Sequence, residues 1–349
     1  MAETRRGPIL VLGATGFVGR RLADALLAGR EDVRALVRPQ GGPRGPSAPG
    51  LACVPGDLLD PSTLAPAFDG IRTVYYLVHS MGSRDRAMNF ASLDARAAQN
   101  AVRAATTAGV ERIIYVGGLQ SGSAVSSPHL ESRRQVEEIL ASGTSSLTTL
   151  RAAIILGAVG SSFEMMVQLV ERLPVMICPQ WIRTRCQPVA LDDLVQYLVG
   201  CLAEERTSGR GFDVGGPDIL PYYEMLNRLG ERLGGRSWIV STPLLTPRLS
   251  AHWVGFVTDV PSPIARLLVD GMSTEVTCRE NRIRELIAVR LRSFDEALDI
   301  ALAGRPLHPS WIRQRIARVP GGGRDGRNRL VQFPPGRRNA RVTVPPRPA

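Results

Sequence analysis

The chain contains no lysine. All 43 of its basic residues are arginines, which excludes mechanisms that need a lysine amine, such as a P-loop lysine, a Schiff-base lysine or a lysine that assists a catalytic tyrosine. Arginine stays protonated in proteins and does not relay protons. Any acid or base chemistry must therefore come from other side chains.

Cysteine and long apolar runs are also scarce. The five cysteines form no CxxC pair and no Cys/His cluster with zinc spacing, so we expect no metal site and reduced thiols in a cytoplasm. No uncharged apolar run reaches the roughly 18 residues of a membrane span. Arg5 and Arg6 precede an apolar run, as in a signal peptide, but Gly13, Gly16 and Gly19 interrupt that run and place it in the fold.

Acidic residues are nearly absent from one end of the chain. Residues 305–349 contain eleven arginines and one acidic residue, Asp325, and so carry +10 of the total formal charge of +11. This segment is rich in proline and glycine, and we expect residues 306–349 to form a disordered tail. The alternative is a weak, salt-sensitive attraction to nucleic acid or anionic lipid. The other 304 residues carry only +1, which argues against a nucleic-acid-binding protein.

The stretch from Ile9 to Gly19 organises the rest of the chain. Four apolar residues, 9–12, predict a buried parallel strand, and a turn of small residues then leads into an amphipathic helix at 17–28. Such a turn lets the backbone approach a pyrophosphate, and the free N–H groups of the first helical turn point at it. We predict that a dinucleotide binds at Gly13, Ala14, Thr15, Gly16, Phe17, Val18 and Gly19.

The next predicted strand, 33–37, ends at Arg38. A site that prefers NAD usually has an acidic residue here, about 20 positions beyond the glycines, to hold the ribose 2′-hydroxyl. A guanidinium offers no acceptor to a hydroxyl but suits a 2′-phosphate. The sequence therefore predicts NAD(P) as cofactor with NADPH favoured, the alternative being that Arg38 is a solvated arginine at a strand end.

Later strands are predicted at 52–55, 73–78, 112–116 and 147–151, with a helix at 90–108. Ligands of open parallel sheets sit beyond the carboxyl ends of the strands, so residues there, including 80–82, should border the cofactor. The loop at 39–50 is predicted to be flexible. Asp57 either accepts from the adenine amino group or caps a turn. The other predicted cofactor contacts are Leu58, Leu77, Val78, His79, Gly117, Gly118, Arg133, Ala152, Ala153 and Ile154.

Six segments carry a resemblance to a known family, namely 75–82, 112–119, 129–133, 150–152, 173–176 and 212–217. Residues 9 to about 160 resemble short-chain dehydrogenases/reductases of the extended or atypical kind, in the group that includes NmrA-like proteins. The six segments are similar to those of a subgroup of bacterial NAD(P)H-binding proteins. The similarity continues over most of residues 7–305. It implies an NAD(P)H-binding protein and places Ala152, Ala153 and Ile154 near the nicotinamide.

We predict an α/β fold, a doubly wound parallel sheet (Rossmann fold) with a smaller C-terminal α/β lobe. Residues 1–160 would form the NAD(P)-binding domain and 161–305 a substrate or partner lobe interleaved with the sheet. Asp192 and Asp193 are expected in the first turn of a helix, where they complement its dipole. The apolar residues 251–257 would cover the substrate cleft or form a dimer face.

The segment after residue 160 contains a predicted helix that ends near residue 173. Ser161 and Glu164 have the spacing of a capping box at its start. Phe163, Met165 and Met166 are expected either in the core or along an apolar substrate cleft.

The chain departs from its relatives where they carry out catalysis. Those relatives have a serine or threonine after the fifth strand and a tyrosine four residues before a lysine; here Gly117 or Gly118, His129 and Arg133 take these places. A missing general acid costs about 10²–10⁴ in rate. Three interpretations stay open for His129 and Arg133: catalysis, cofactor contact without catalysis, or a solvated surface pair with Arg133 beside Glu137.

Three functions follow from these interpretations. An NADPH-dependent oxidoreductase would take a proton from His129 or water and would suit quinones or flavins, which need less acid assistance than a ketone. A regulatory protein would bind NADP and pass its redox state to a partner without turnover. A binder of anionic surfaces would use the arginine-rich tail. The sequence is compatible with a small-molecule substrate and with a homodimer or protein partner.

Overall fold

A computed structural model describes residues 7–39, 48–79, 90–119, 127–235, 238–241, 257–258 and 269–303. The predictions for residues 80–82, for most of the 39–50 loop, for 251–256 and for the tail at 306–349 lie outside these ranges. No helix within them is long and apolar enough to span a membrane.

The strands are two to seven residues long, and helices follow most of the strands of the main sheet along the chain. The strands are β1 (Ile9–Leu12), β2 (Val33–Val37), β3 (Ala52–Pro55), β4 (Thr73–Tyr76), β5 (Arg112–Gly118), β6 (Ser146–Ala152), β7 (Ile155–Leu156), β8 (Val175–Cys178), β9 (Arg185–Cys186), β10 (Val189–Ala190), β11 (Gly211–Val214), β12 (Leu220–Pro221) and β13 (Trp238–Ser241). The helices are α1 (Phe17–Ala28), α2 (Ala65–Phe68), α3 (Phe90–Ala108), α4 (Pro128–Ala141), α5 (Ser161–Arg172), α6 (Leu191–Ala203), α7 (Tyr222–Arg232), α8 (Ile283–Leu286) and α9 (Phe294–Leu302).

Seven of the strands form one parallel sheet in the order β11-β6-β5-β4-β1-β2-β3. The chain moves outward in one direction through β1, β2 and β3 and then in the other through β4, β5 and β6. This reversal creates a crevice between the carboxyl ends of β1 and β4, where ligands of doubly wound sheets bind. The predicted Rossmann fold is confirmed.

Helices cover both faces of this sheet because its strands are apolar on both sides. Ile9 and Val11 pack in one cluster with Leu22 of α1 and Leu194 of α6. The alternate residues of β1 pack on the opposite face with α2, α3 and α4. A strand buried on both faces reads as a continuous apolar run, which is why 9–12 could be identified from sequence.

Several predicted bounds differ from the structure by one or two residues. β4 ends at Tyr76, not at residue 78, because its ladder with β1 stops at the Leu12–Tyr76 pair, where β1 gives way to the glycine turn. β5 and β6 are longer than predicted, since they stay paired up to Gly118 and Ala152. Gly118 and Ala152 therefore lie within strands.

The predicted capping box at Ser161 and Glu164 is wrong. Gly160 is the N-cap of α5 and no side chain caps this helix, so Ser161 is already helical. The Glu164 carboxylate instead accepts a hydrogen bond from Nε2 of Gln168, 2.8 Å away and one turn further along the helix. The chain enters α5 one residue earlier than the capping pattern requires.

Phe163, Met165 and Met166 belong to the core of the C-terminal lobe. Each is at most 1% exposed, and they pack in one apolar cluster with residues of α7 and α9. Of the two interpretations, core or cleft lining, the structure supports the core.

Buried carboxylates fasten the segment 276–296 to the sheet. Asp193 is fully buried in the first turn of α6, as predicted for that turn, and accepts hydrogen bonds from the backbone N–H of Arg292 at 2.7 Å and from its guanidinium. Asp213 of β11 accepts from the backbone N–H of Arg279 at 3.0 Å, while Glu280 accepts from the backbone N–H of Asp213 at 2.8 Å. These contacts hold the last described segment against β11 and α6.

Candidate functional site

In the turn after β1, backbone atoms of the turn pack directly against the backbone of neighbouring segments. Gly13 has φ of +88°, and a Cβ built on it would lie 2.8 Å from the carbonyl oxygen of Leu77. The N–H of Gly16 donates to the carbonyl of Gly13 at 2.9 Å. A Cβ built on Gly19 would lie only 2.1 Å from that same carbonyl oxygen. The turn therefore packs against both β4 and α1 in a way that only glycine allows.

The start of α1 is open to an anionic ligand. Gly16 is its N-cap, no side chain caps it, and no acidic residue lies in its first turn. The first N–H groups of a helix have no partner within the helix and carry a partial positive charge. Thr15 and Gly16 are exposed, whereas Ala14 and Gly19 are buried. The turn thus fits a pyrophosphate held by backbone N–H groups, which is the fit a dinucleotide requires.

Phe17 connects this turn to the C-terminal lobe, a contact that sequence reasoning missed. Cβ atoms built on Gly157 and Gly160 would lie 2.7 Å and 3.0 Å from atoms of the Phe17 ring. The two glycines leave room for the ring between β7 and α5. Val18, next to Phe17, is half-buried and packs on the core of the sheet.

Arg38 directly follows β2 and its side chain is exposed. It takes part in none of the hydrogen bonds or ion pairs found among the described residues. A guanidinium without a carboxylate partner, at the carboxyl edge of the sheet, is available to a phosphate.

Asp57 and Leu58 follow β3 but contribute to the local structure. Oδ1 of Asp57 accepts from the N–H of Leu59 at 2.9 Å, which is the turn-capping role, one of the two predicted for it. Leu58 is 6% exposed, and its carbonyl accepts from Nδ2 of Asn100 at 2.6 Å. The Leu58 side chain packs in the apolar cluster that contains Leu36 and Leu64.

Arg133 is the central side chain on the other side of the crevice. It is 8% exposed on α4, and a guanidinium nitrogen, Nη1, lies 3.5 Å from the carbonyl oxygen of Val78 just after β4. The side chain of Val78 in turn lies 3.4 Å from the place of a Cβ on Gly13. Val78 thus joins the glycine turn to Arg133.

Of the three interpretations of His129 and Arg133, the structure rules out the one in which Arg133 is solvated beside Glu137. Glu137 is held by Arg151 of β6, with Nη2 and Nε of the arginine at 2.6 Å and 3.1 Å from its two carboxylate oxygens. Nor is Arg133 at the surface, because α4 turns it toward the sheet. Gly118 lets α4 pack closely on β5, since a Cβ there would lie 2.8 Å from the Leu130 side chain.

Two histidines lie close to Arg133. His79 follows Val78 and reaches solvent, and His129 is half-buried in the first turn of α4. Burial in the surrounding protein and the positive charge of Arg133 lower the pKa of His129 to about 3, and they also lower the pKa of His79. Both imidazoles are therefore neutral at physiological pH, so His129 has no imidazolium proton to donate.

The remaining predicted contacts lie at or just beyond the carboxyl ends of β4, β5 and β6. Leu77 packs on the core of the sheet, and its N–H donates to the carbonyl of Leu12 at 3.0 Å. Gly117 is buried within β5. Ala152 ends β6, and the half-buried Ala153 and Ile154 that follow pack on the core of the C-terminal lobe.

Comparison with known proteins assigns the glycine turn to a nucleotide-binding family. Residues 13–154 match the model of a family described as NAD(P)H-binding. These residues form an NAD(P)H-binding domain. The match begins at the glycine turn and ends at Ile154, so it spans the edge of the sheet on which the turn and Arg133 lie.

Relatives of the NAD(P)H-binding domain have diverse roles. The photosystem II assembly factor Ycf39 of Trieres chinensis is 25% identical over 249 residues, which are 71% of this chain and 76% of that one. The fold is shared with a triphenylmethane reductase of Citrobacter sp. solved with NADP(H), with a TM-score of 0.67, 20% identity and coverage of 84% of this chain and 100% of that chain. An NADPH-dependent quinone oxidoreductase of Escherichia coli, solved with NADPH, shares it with a TM-score of 0.67, 19% identity and coverage of 83% and 98%.

The neutral histidines predict how stability depends on pH. In the unfolded chain a histidine takes up a proton near pH 6.5, whereas in the folded state His129 resists protonation down to about pH 3. Because the unfolded state binds more protons between these values, the free energy of unfolding should fall as the pH drops below 6.5. We expect urea denaturation of His129→Gln at pH 7.5 and 5.5 to show a smaller loss than wild type. An equal loss in both proteins would contradict the depressed pKa.

Proposed function

We propose that the protein is an NADPH-dependent oxidoreductase. The observation that supports this most directly is that the glycine turn and the group of His79, His129 and Arg133 meet at Val78, on one edge of the sheet. Bound NADPH would supply a hydride, and the group around Arg133 would hold the acceptor.

NADPH is proposed over NADH because Arg38 is exposed, unpaired among the described residues, and stands where an NAD site has a carboxylate. The Citrobacter and Escherichia coli enzymes, solved with NADP(H) and NADPH, agree with this choice. We also propose that the protein is cytoplasmic, as expected from its unpaired cysteine pattern.

Arg38→Glu should reverse this preference. A charge-assisted hydrogen bond contributes about 1.5–3 kcal/mol, so the Kd for NADPH should rise about 10- to 100-fold while that for NADH stays the same or falls. Calorimetric titration with each nucleotide measures both values. Arg210→Glu is the matched control, because Arg210 is an exposed arginine before β11, at the opposite edge of the sheet. Equal losses for both nucleotides would contradict the role of Arg38.

Turnover tests the proposal as a whole. NADPH oxidation is followed at saturating NADPH with a panel of quinones, flavins and ketones. Oxidation that depends on the acceptor supports an oxidoreductase. Tight NADPH binding without turnover on any acceptor would overturn it.

The second candidate is a protein that senses NADP redox state without turnover. Two observations favour it: the tyrosine and lysine of catalytic relatives are replaced, and the neutral His129 is no acid at physiological pH. The similarity to a photosystem II assembly factor agrees with a role in binding another protein. A difference in partner binding between the NADPH and NADP⁺ forms would support this candidate.

A further inference from the structure

The strongest unexplained feature of the crevice is a buried cation that forms no ion pair with the described residues. Arg133 is 92% buried, and none of the ion pairs among the described residues includes it. Its guanidinium has five N–H groups, of which one makes the long contact with Val78. A buried charge is costly unless it is paired, and the described residues supply no pair, so this arrangement favours an anionic ligand as the partner of Arg133.

Two described carboxylates, Asp94 and Glu137, lie in this neighbourhood, and no ion pair among the described residues joins either of them to Arg133. Asp94 of α3 accepts from the hydroxyl of Ser132 at 3.4 Å. Glu137 is bound on both oxygens by Arg151. The remaining titratable groups that sense Arg133 are His79, His129, Tyr76 and Tyr115.

None of these remaining groups offers a proton. Both imidazoles are neutral, and burial raises the pKa of both tyrosines. The hydroxyl of Tyr115 is already donated to the backbone carbonyl of Arg133, at 3.2 Å. The site thus supplies a fixed positive charge in place of an acid.

We propose that Arg133, flanked by His79 and His129, forms an oxyanion site for a phenolate-type ring, and that the acceptor of the proposed oxidoreductase is quinonoid. This rests on the proposed function. A quinone that accepts a hydride gains two electrons and one hydrogen and becomes a hydroquinone monoanion, while the dinucleotide becomes oxidised. The proton that completes the hydroquinone comes from water.

A quinone suits this site better than a ketone because the two acceptors form anions of different basicity. A phenol loses its proton at a pH of about 10, whereas water, which stands here for an aliphatic alcohol, does so near 16. The anion formed from a quinone is therefore stable enough to be held by charge alone. The anion formed from a ketone needs a proton donor, which this site does not have.

The test uses 4-nitrophenol and the full-length protein without nucleotide. Its phenolate is coloured, so absorbance over pH 5–9 gives the apparent pKa of the bound phenol. An opposite charge within about 4–6 Å lowers a pKa by roughly 1–3 units, and we expect a decrease of at least about one unit. The neutral ether 4-nitroanisole, of nearly the same shape, should bind more weakly than the phenolate.

Variants of two neighbouring arginines on α4 test whether Arg133 causes the shift in the pKa of the bound phenol. Arg133→Met should return the pKa of the bound phenol to its free value, and Arg133→Lys should keep part of the shift because it keeps the charge. Arg134→Met is the matched control, since Arg134 is an exposed neighbour paired with Glu131 and Glu138. Circular dichroism of each variant verifies that it folds.

Two outcomes would overturn the oxyanion site: an unshifted pKa in the wild-type protein, or equal loss of the shift in Arg134→Met and Arg133→Met. NADPH binding, measured separately on the same samples, tests the proposed function. A shifted phenol pKa without NADPH binding would leave the anion site standing and refute the oxidoreductase. NADPH binding with an unshifted phenol pKa would refute the anion site and leave the oxidoreductase standing.

Discussion

Replacing Gly19 by alanine is expected to weaken NADPH binding about 100-fold or more. The added Cβ would lie 2.1 Å from the carbonyl oxygen of Gly13 and 2.9 Å from Cα of Ala14. Both contacts are to backbone, so no side chain can move aside, and α1 must shift away from the turn. Overpacking of this kind costs about 1–3 kcal/mol and sometimes more, and the shift separates the N–H groups that hold the pyrophosphate.

The two glycines that cap α1, Gly16 and Gly29, serve as comparisons for this result. A Cβ on Gly16 would lie 3.1 Å from the Gly13 carbonyl oxygen, a contact that a small adjustment relieves, so Gly16→Ala should weaken binding about tenfold or less. Gly29, the C-cap of α1, has φ of −76° and is far along the helix from the turn; Gly29→Ala should bind NADPH like wild type. Calorimetric titration gives the order. Equal affinity of Gly19→Ala and wild type would contradict the close packing.

Asp193→Ala is expected to destabilise the fold by about 2–4 kcal/mol. Removing one partner of a buried ion pair typically costs about 3–5 kcal/mol, and this figure is reduced because the Arg292 side chain keeps 25% of its exposure. The backbone N–H of Arg292 would also lose its acceptor, which lies 2.7 Å away. The midpoint of urea unfolding measures the loss.

The preceding residue supplies the control. Asp192 shares the first turn of α6 but pairs with Arg21 on the surface, with side-chain exposures of 25% and 48%. Surface pairs of this kind contribute about 0–1 kcal/mol, so Asp192→Ala should unfold close to wild type. If the two alanine variants lost the same stability, the helix dipole rather than the buried pair would be the cause.

The nucleotide-binding half of the fold could be predicted from sequence because its signals are local. The apolar run at 9–12, the small residues of the turn and the helical periodicity at 17–28 lie next to one another, and the structure has β1 and α1 at those bounds. The same holds for α3. Local patterns of this kind need no knowledge of distant residues.

The errors arose where distant residues compete for the same partner. Helical spacing suggested that Arg133 pairs with Glu137, but Arg151 of β6 takes that carboxylate. The burial of Arg133 depends on how α4 packs against β5 at Gly118, and the sequence does not specify this. The capping pattern at Ser161 failed similarly, because entry into α5 is fixed by Gly160 beside Phe17.

The position of β11 in the sheet has a consequence for synthesis on the ribosome. β6 is a seven-residue strand whose outer neighbour, β11, begins 59 residues after it ends. At a translation rate of about 5–20 residues per second, β6 waits roughly 3–12 s with an unpaired edge. A nascent chain halted in this interval would present an unpaired strand edge to other chains, and chaperones that shield such edges should engage it before residue 214 emerges.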